Sequence, residues 1–268
     1  MAEPLTIAST EQDRFDRSRR ISWLDLDSIS KSRIFIVGAG ALGNEVAKDA
    51  VLSGFKDISI VDMDTVARSN LNRCLFFREE DVTAKRNKAD AVARGLRDLY
   101  PDATVRPVVK RIEDVDDCDL RTARVALGCL DSIAARMHVN ARTYSLGIPY
   151  IDGGMEGFSG KVALSLPPDR ACLQCGMNRT HAQVANLRFS CTGSDVVFHE
   201  PRLAAEITTT SIVSAVMVRE ALKVVSGHPE MLLTNAFFYD GARNSCEELE
   251  IPLDPDCPVH RTPSSGYR

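Results

Sequence analysis

Arg33-Ile-Phe-Ile-Val-Gly38-Ala-Gly40-Ala-Leu-Gly43, followed by Val61-Asp62-Met-Asp64, is the stretch on which the fold turns. A short apolar run that breaks into Gly-x-Gly-x-x-Gly and passes into a helical pattern reads as strand, tight turn and helix. The backbone N–H groups of such a turn point at an anion, and the dipole of the helix behind it favours a phosphate. Gly38 then makes the turn, Gly40 lets a phosphate approach the backbone, and Gly43 lets the helix pack close. Asp62 ends a second strand where a ribose hydroxyl is expected. Nucleotide binding is the first expectation, although a motif of this length also occurs in ordinary strand–helix junctions.

Outward from this turn, the chain alternates short apolar runs with helical patterns, the signature of βαβ units and a mainly parallel sheet. Strands are expected at 33–37, 57–61, 104–109, 124–128 and 149–152, and helices at 41–53, 85–99, 115–121 and 132–146. A doubly wound sheet binds its ligand at the carboxyl ends of the strands, where Gly38, Asp62 and Asp131 fall. Beyond residue 152 the character changes. An alternating strand at 158–166, a Cys-x-x-Cys knuckle, a long amphipathic helix at 205–226 and strands at 231–238 and 246–252 lead to Asp256-Cys257-Pro-Val-His260. The fold class expected is therefore α/β, a Rossmann-like doubly wound sheet extended by C-terminal strands and a zinc knuckle. Residues 1–32 read as an N-terminal arm and helix. Residues 33–260 form a single domain with a nucleotide-binding half at 33–152 and a second half at 153–260, and 261–268 form a flexible tail.

The 268 residues suffice for a sizeable core, and a formal charge of -4 without a long like-charge block gives no footprint for nucleic acid. No apolar run reaches the ~20 residues of a membrane span, and the first residues lack the pattern of a signal peptide. A cytoplasmic protein with small-molecule or protein partners is expected, with no nucleic-acid and no membrane partner.

Several stretches carry candidate chemistry. Ser69-Asn70-Leu71-Asn72-Arg73 delivers an Arg near the phosphate position. Asp81-Val-Thr-Ala-Lys85-Arg86-Asn87-Lys88 opens the next helix with three basic residues, although a helix's first turn repels cations unless an anion lies nearby. Asp131, after the fourth apolar run, is placed either to organise a magnesium ion or to cap the following helix, a role open equally to Ser132. Cys172-x-x-Cys175 and Cys257-x-x-His260 together offer the four N/S ligands of a tetrahedral zinc site. Cys191 lies in a loop-like stretch where an exposed thiol could act as nucleophile, or could merely pack.

In this order the glycine motif, Asp62-Met-Asp64, Ser69-Asn-Leu-Asn-Arg73, Lys88, Asp131 and the split zinc pairs resemble the ubiquitin-activating-enzyme-like adenylyltransferases, the MoeB, ThiF and HesA group. The resemblance runs from about Arg14 to His260. It implies ATP-dependent adenylation of the C-terminal glycine carboxylate of a small ubiquitin-like or sulfur-carrier β-grasp protein, releasing pyrophosphate, with ATP, Mg2+ and Zn2+ as cofactors. By resemblance, Gly38, Gly40, Ala41, Gly43, Asp62 and Asp64 line the nucleotide, with Ala41 standing where a fourth glycine is frequent. Asn70, Arg73 and Lys88 hold the triphosphate, Lys85 being the alternative lysine, and Asp131 organises magnesium. Arg17 corresponds to an Arg that reaches a neighbouring subunit's site, which implies a homodimer. Cys191 would carry an acyl group on its way to a conjugating or sulfur-transfer protein, although the Cys-x-x-Gly-Val pattern of sulfur-transfer members is missing around it. Two other readings are open: a NAD-dependent oxidoreductase, resting on the glycine motif and Asp62, and a non-catalytic subunit of a heterodimeric activating enzyme.

Overall fold

The computed structural model describes residues 13–176 and 204–261. Its single sheet has eight strands, β1 (Arg33–Val37), β2 (Asp57–Val61), β3 (Thr104–Val108), β4 (Val125–Gly128), β5 (Tyr150–Glu156), β6 (Ser159–Ser165), β7 (Ala236–Asp240) and β8 (Ser245–Leu249), in the order β3-β2-β1-β4-β5-β6-β7-β8. The first five are mutually parallel and the rest are antiparallel additions. The helices are α1 (Leu26–Lys31), α2 (Ala41–Leu52), α3 (Glu79–Thr83), α4 (Lys88–Leu99), α5 (Asp117–Leu120), α6 (Ile133–Ser145), α7 (Ile207–Ser226) and α8 (Pro258–Arg261).

Strand alternation builds two cores. Ile34 and Ile36 of β1 join Ile58 and Ile60 of β2 under α2, α4 and α7, while Phe35, Val37 and Val61 face the opposite layer with Val139 of α6 and Leu120 of α5. Both faces of the parallel strands are therefore covered, which is why they read as continuous apolar runs rather than alternating ones. The long helix α7 spans the junction of the parallel and antiparallel parts. Its Val213 and Met217 are fully buried, and it stops at Gly227, whose φ of 78° is the left-handed C-terminal cap that glycine adopts without strain.

The register sets the site. Val37 pairs with Val61 on one side and with Gly128 on the other, and Gly128 pairs with Asp152. Gly38, Asp62 and Cys129 consequently leave the sheet side by side, at the point where the strand order reverses between β1 and β4. That is the crevice in which an open α/β sheet binds its ligand.

Boundaries differ from expectation at several elements, the strand expected at 149–152 for one running on to Glu156. The helix expected at 85–99 begins only at Lys88, as α4; the separate short helix α3 precedes it, and Lys85 lies between the two in a turn at φ 47°. Of the three basic residues, only Lys88 lies in the helix. The strand at 231–238 begins at Ala236, because Pro229–Met231 turn as a 3-10 helix after α7. At 246–252 the strand ends at Leu249.

Candidate functional site

The glycine turn is tight because other backbone fills the space around it. Gly38 has φ 98°, and a Cβ there would stand 2.5 Å from the Cys129 carbonyl oxygen. A Cβ on Gly43 would stand 2.0 Å from the Gly38 carbonyl oxygen, whereas one on Gly40 would meet no atom within 4 Å. Gly38 and Gly43 thus serve the fold, and Gly40 keeps an outward-facing space clear. Asn44 ties the turn to the next loop: its Nδ2 donates to the Ala39 and Gly40 carbonyls at 2.9 Å each, and its Oδ1 accepts the Phe76 N–H at 3.0 Å. A lone Asn inside an otherwise apolar helix face, directly after Gly43, is the sequence signal for this role.

Asp62 lies at the edge of the turn, its Oδ2 accepting the Ala39 N–H at 2.7 Å and its Oδ1 the Asp64 N–H at 2.8 Å. Burial pushes its carboxyl above the usual range, against the pull of Lys88. Lys88 reaches in from the first residue of α4. Its backbone N–H donates to the Asp64 carbonyl at 2.9 Å and its Nζ to Asp64 Oδ2 at 2.7 Å. Burial works to deprotonate Lys88, but the charges of Asp62, Asp64 and Asp131 outweigh it and hold the ammonium above its ordinary pKa. Lys85, exposed in its left-handed turn, takes no part in this group. Of the two candidate lysines the structure brings Lys88 to the crevice.

Asp81 anchors the segment that carries Lys88. Fully buried, it accepts from the Arg78 N–H at 2.9 Å, from Arg86 Nε at 2.7 Å and from two Arg94 nitrogens at 2.6 and 2.8 Å. The Arg94 guanidinium accordingly draws its carboxyl below the usual range despite burial. Upstream, Asn70 uses Oδ1 to accept the Ala67 N–H at 3.0 Å, and the Arg73 guanidinium is folded against the Ser69 carbonyl and Asn72 Oδ1. The buried Cys74 thiol, pushed up to about 11 by burial, lies in the fields of Arg73, Lys88 and Asp62. Arg73, Lys88 and Asp62 thus share one neighbourhood.

The cap and the neighbouring carboxylate separate after β4. Ser132 caps α6, its Oγ accepting the Ala135 N–H at 3.5 Å, and Asp131 stays exposed, with no hydrogen bond to its carboxylate among the described residues. Behind it a buried ion pair went unnoticed in the sequence. Arg136 meets Asp152 at 2.7 Å and also holds the Leu130 carbonyl, while the Tyr150 hydroxyl donates to Asp152 at 2.8 Å. The acidic residue closing the apolar run Tyr150-Ile151-Asp152 was its signal. Gly128 is required here, since a Cβ would meet the Tyr150 hydroxyl at 2.0 Å.

Cys172, Cys175, Cys257 and His260 converge although most of the second half separates them. Their ligand atoms all lie within 4.8 Å of one another, with Cys172 and Cys257 sulfurs 3.7 Å apart and Cys175 Sγ 3.6 Å from His260 Nε2. Bond lengths of about 2.0–2.3 Å to tetrahedral zinc require ligand separations of roughly 3.4–3.8 Å; the two quoted pairs match that, Cys172 and Cys175 stand slightly wider at 4.0 Å, and the three thiols and one imidazole are a donor set that suits the ion.

Not every candidate joins the crevice. The arm bearing Arg17 packs at the amino ends of the strands. Phe15 meets the Tyr100 ring edge-on at 6.1 Å, and Arg14 lies over that ring at 4.1 Å and bonds the Leu99 carbonyl. Arg17 is exposed there, at the opposite end of the sheet from Gly38. Cys191 lies outside the described residues, and no described helix is long and apolar enough to cross a membrane.

Comparison with known proteins agrees with this layout. The ThiF family model matches residues 15–259. The Nedd8-activating enzyme E1 catalytic subunit of Drosophila melanogaster is 36% identical over 168 residues, covering 58% of this chain and 37% of the fly protein. Its Caenorhabditis elegans counterpart is 34% identical over 206 residues, covering 70% and 46%. The chain thus spans less than half the length of these curated relatives. Among solved structures, Escherichia coli MccB superposes with a TM-score of 0.75 at 21% identity, over 94% of this chain and 75% of MccB, a likeness of fold.

Proposed function

The chain belongs to the ThiF family, and from that membership we propose that it uses MgATP to adenylate a carboxylate, namely the C-terminal glycine of a small β-grasp protein of the ubiquitin-like or sulfur-carrier kind. One observation carries the reading: the open face of the glycine turn, the Lys88 ammonium and the Asp131 carboxylate gather at the carboxyl ends of the central strands, where Asp131 acts on the charge of Lys88. A dehydrogenase would use the turn and Asp62 but leave Lys88 and Asp131 without work. An inactive half of a heterodimer would need neither.

In the reaction, a carboxylate oxygen attacks the α-phosphorus of ATP, the new O–P bond forms, and the bond to the β-phosphate oxygen breaks to release pyrophosphate. No group of the enzyme need become covalently attached. Its task is to bring two anions together and to meet the charge that moves onto the leaving phosphates. The turn from Gly38 to Gly43, with Ala41 starting α2, receives phosphate on backbone N–H groups. Asp62 has lone pairs to spare for ribose hydroxyls beyond those used by Ala39 and Asp64. Lys88 transfers its ammonium from Asp64 to the phosphates, and Asn70 and Arg73 supply further donors from the adjoining loop. Asp131 would hold a magnesium ion, which supplies charge neutralisation on the phosphates.

Arg17 cannot serve the crevice of its own chain from the far end of the sheet, so we assign it to the site of a second copy in a homodimer. Zinc would tie the C-terminal turn to the knuckle through Cys172, Cys175, Cys257 and His260. Cytoplasmic reducing conditions suit such a thiolate site. Cys191 is the candidate acceptor for any later acyl transfer to a downstream conjugating or sulfur-transfer protein.

ATP–pyrophosphate exchange tests the reading. Exchange should require a β-grasp protein ending in Gly-Gly and should fall by on the order of 10²-fold in Asp131→Ala. Undiminished exchange in that variant would remove Asp131 from the chemistry.

A further inference from the structure

Ser132, Arg136, Asn140 and Tyr144 recur every fourth residue along α6 and so share one face of it. The first two belong to the Asp131 turn, the last two to the metal-ligand cluster. Asn140 is fully buried, and its Oδ1 accepts the backbone N–H of Leu173, inside the Cys172-x-x-Cys175 turn, at 3.1 Å. The other end of the same amide, Nδ2, is buried and makes no hydrogen bond in the structure. A buried donor left unmet is costly, so this one is poised for an acceptor. The amide lies against the turn that carries Cys172 and Cys175. A thiol sulfur accepts a hydrogen bond weakly, whereas a thiolate accepts it well.

One turn further, the Tyr144 ring stacks on the His260 imidazole, with centroids 4.5 Å and planes 9° apart. Its hydroxyl donates to the Pro168 carbonyl and lies 3.3 Å from that of Arg170. The ring is thus held from both ends, and it holds the imidazole plane in turn.

We propose that Asn140 and Tyr144 are positioning residues of the metal centre: Asn140 donates Nδ2–H to the Cys172 thiolate, Tyr144 sets the plane of His260, and α6 thereby joins the metal to the turn that presents Asp131. The inference rests on the metal reading above and is independent of adenylation. Outer partners of this kind orient a ligand and tune its donation, and their loss typically weakens metal binding about 10–100-fold.

The test uses the full chain, Co2+ as a spectroscopic probe and competition for Zn2+ with a colorimetric chelator. Asn140→Asp keeps an acceptor for the Leu173 N–H but replaces the amide donor with a carboxylate oxygen. It should lower Zn2+ affinity about 10–100-fold and shift the sulfur-to-cobalt charge-transfer band. Tyr144→Leu should weaken Zn2+ and change the cobalt ligand-field bands, while Tyr144→Phe, which keeps the stacked ring, should stay closer to wild type. The Tyr144 pair decides the matter if Asn140→Asp fails to fold. Unchanged affinity and spectra in a folded Asn140→Asp protein would overturn the role of Asn140, and equal behaviour of Tyr144→Leu and wild type would overturn that of Tyr144. A wild-type chain that binds neither Co2+ nor Zn2+ would overturn the metal reading and with it this inference.

Discussion

The glycines of the turn look alike in sequence and differ in what surrounds them. Gly43 faces the Gly38 carbonyl so closely that an added methyl would stand 2.0 Å from it, while Gly40 opens onto empty space. Gly43→Ala should therefore destabilise the fold, by about 1–3 kcal/mol as overpacked sites do, seen as a lower urea midpoint. Gly40→Ala should leave the midpoint near wild type but weaken MgATP in calorimetric titration, because its methyl projects where a phosphate would approach. Equal loss of stability in both would contradict the assignment. The motif assigns Gly38 to the turn and Gly43 to helix packing, but the Cys129 and Gly38 carbonyls that make glycine necessary there are placed by strand register. The same holds for the lysines: Lys85 and Lys88 are equivalent as letters, and the left-handed turn at Lys85 separates them.

Helix starts place much of the chemistry, and α4, α6 and α7 solve their first turns differently. The first residue of α4 is a lysine, an arrangement its dipole disfavours and which Asp62, Asp64 and Asp131 offset. α6 leaves the cap to Ser132 and frees Asp131. α7 is capped by Glu206, whose carboxylate accepts the Thr208 N–H at 2.7 Å, the Thr209 N–H at 2.5 Å and both threonine hydroxyls. Burial is the largest single influence and works to raise this carboxyl, but the bonds from Thr208 and Thr209 together outweigh it and hold Glu206 at about 2, below its ordinary 4.5. A carboxyl depressed in the folded state stabilises fully above its unfolded pKa and loses that contribution as pH falls through the folded value. Glu206→Gln should thus cost roughly 1 kcal/mol at pH 7, the scale of a lost cap. The gap between the two proteins' urea midpoints should hold down to about pH 4.5 and narrow as acidification continues. A gap that widens on acidification would contradict this account. Apolar periodicity made the element types readable, since β1, β2 and α2 are written in unbroken patterns. The break between α3 and α4 was not readable, because it is set by Asp81 drawing Arg78, Arg86 and Arg94 around itself.

At the scale of the molecule, one sheet carries both halves. Its parallel part ends at the crevice, and its antiparallel part carries the chain past the knuckle toward Cys257 and His260. The paired ligand spacings made the cluster legible, since Cys-x-x-Cys and Cys-x-x-His turns chelate locally. The buried Arg136–Asp152–Tyr150 group was not legible, because its members meet only when α6 packs on β5. Arg17 illustrates the opposite limit: its own chain holds it away from the crevice, so its proposed role belongs to an assembly of two copies. On the proposed function, this crevice joins AMP to a protein's terminal carboxylate. Intact-mass measurement of candidate Gly-Gly-ended β-grasp proteins, after mixing with the wild-type chain or Asp131→Ala and MgATP, tests it most directly. The account predicts a carrier–AMP adduct with the wild type and its loss with the variant, whereas no adduct with any carrier, or equal adduct with both proteins, would contradict it.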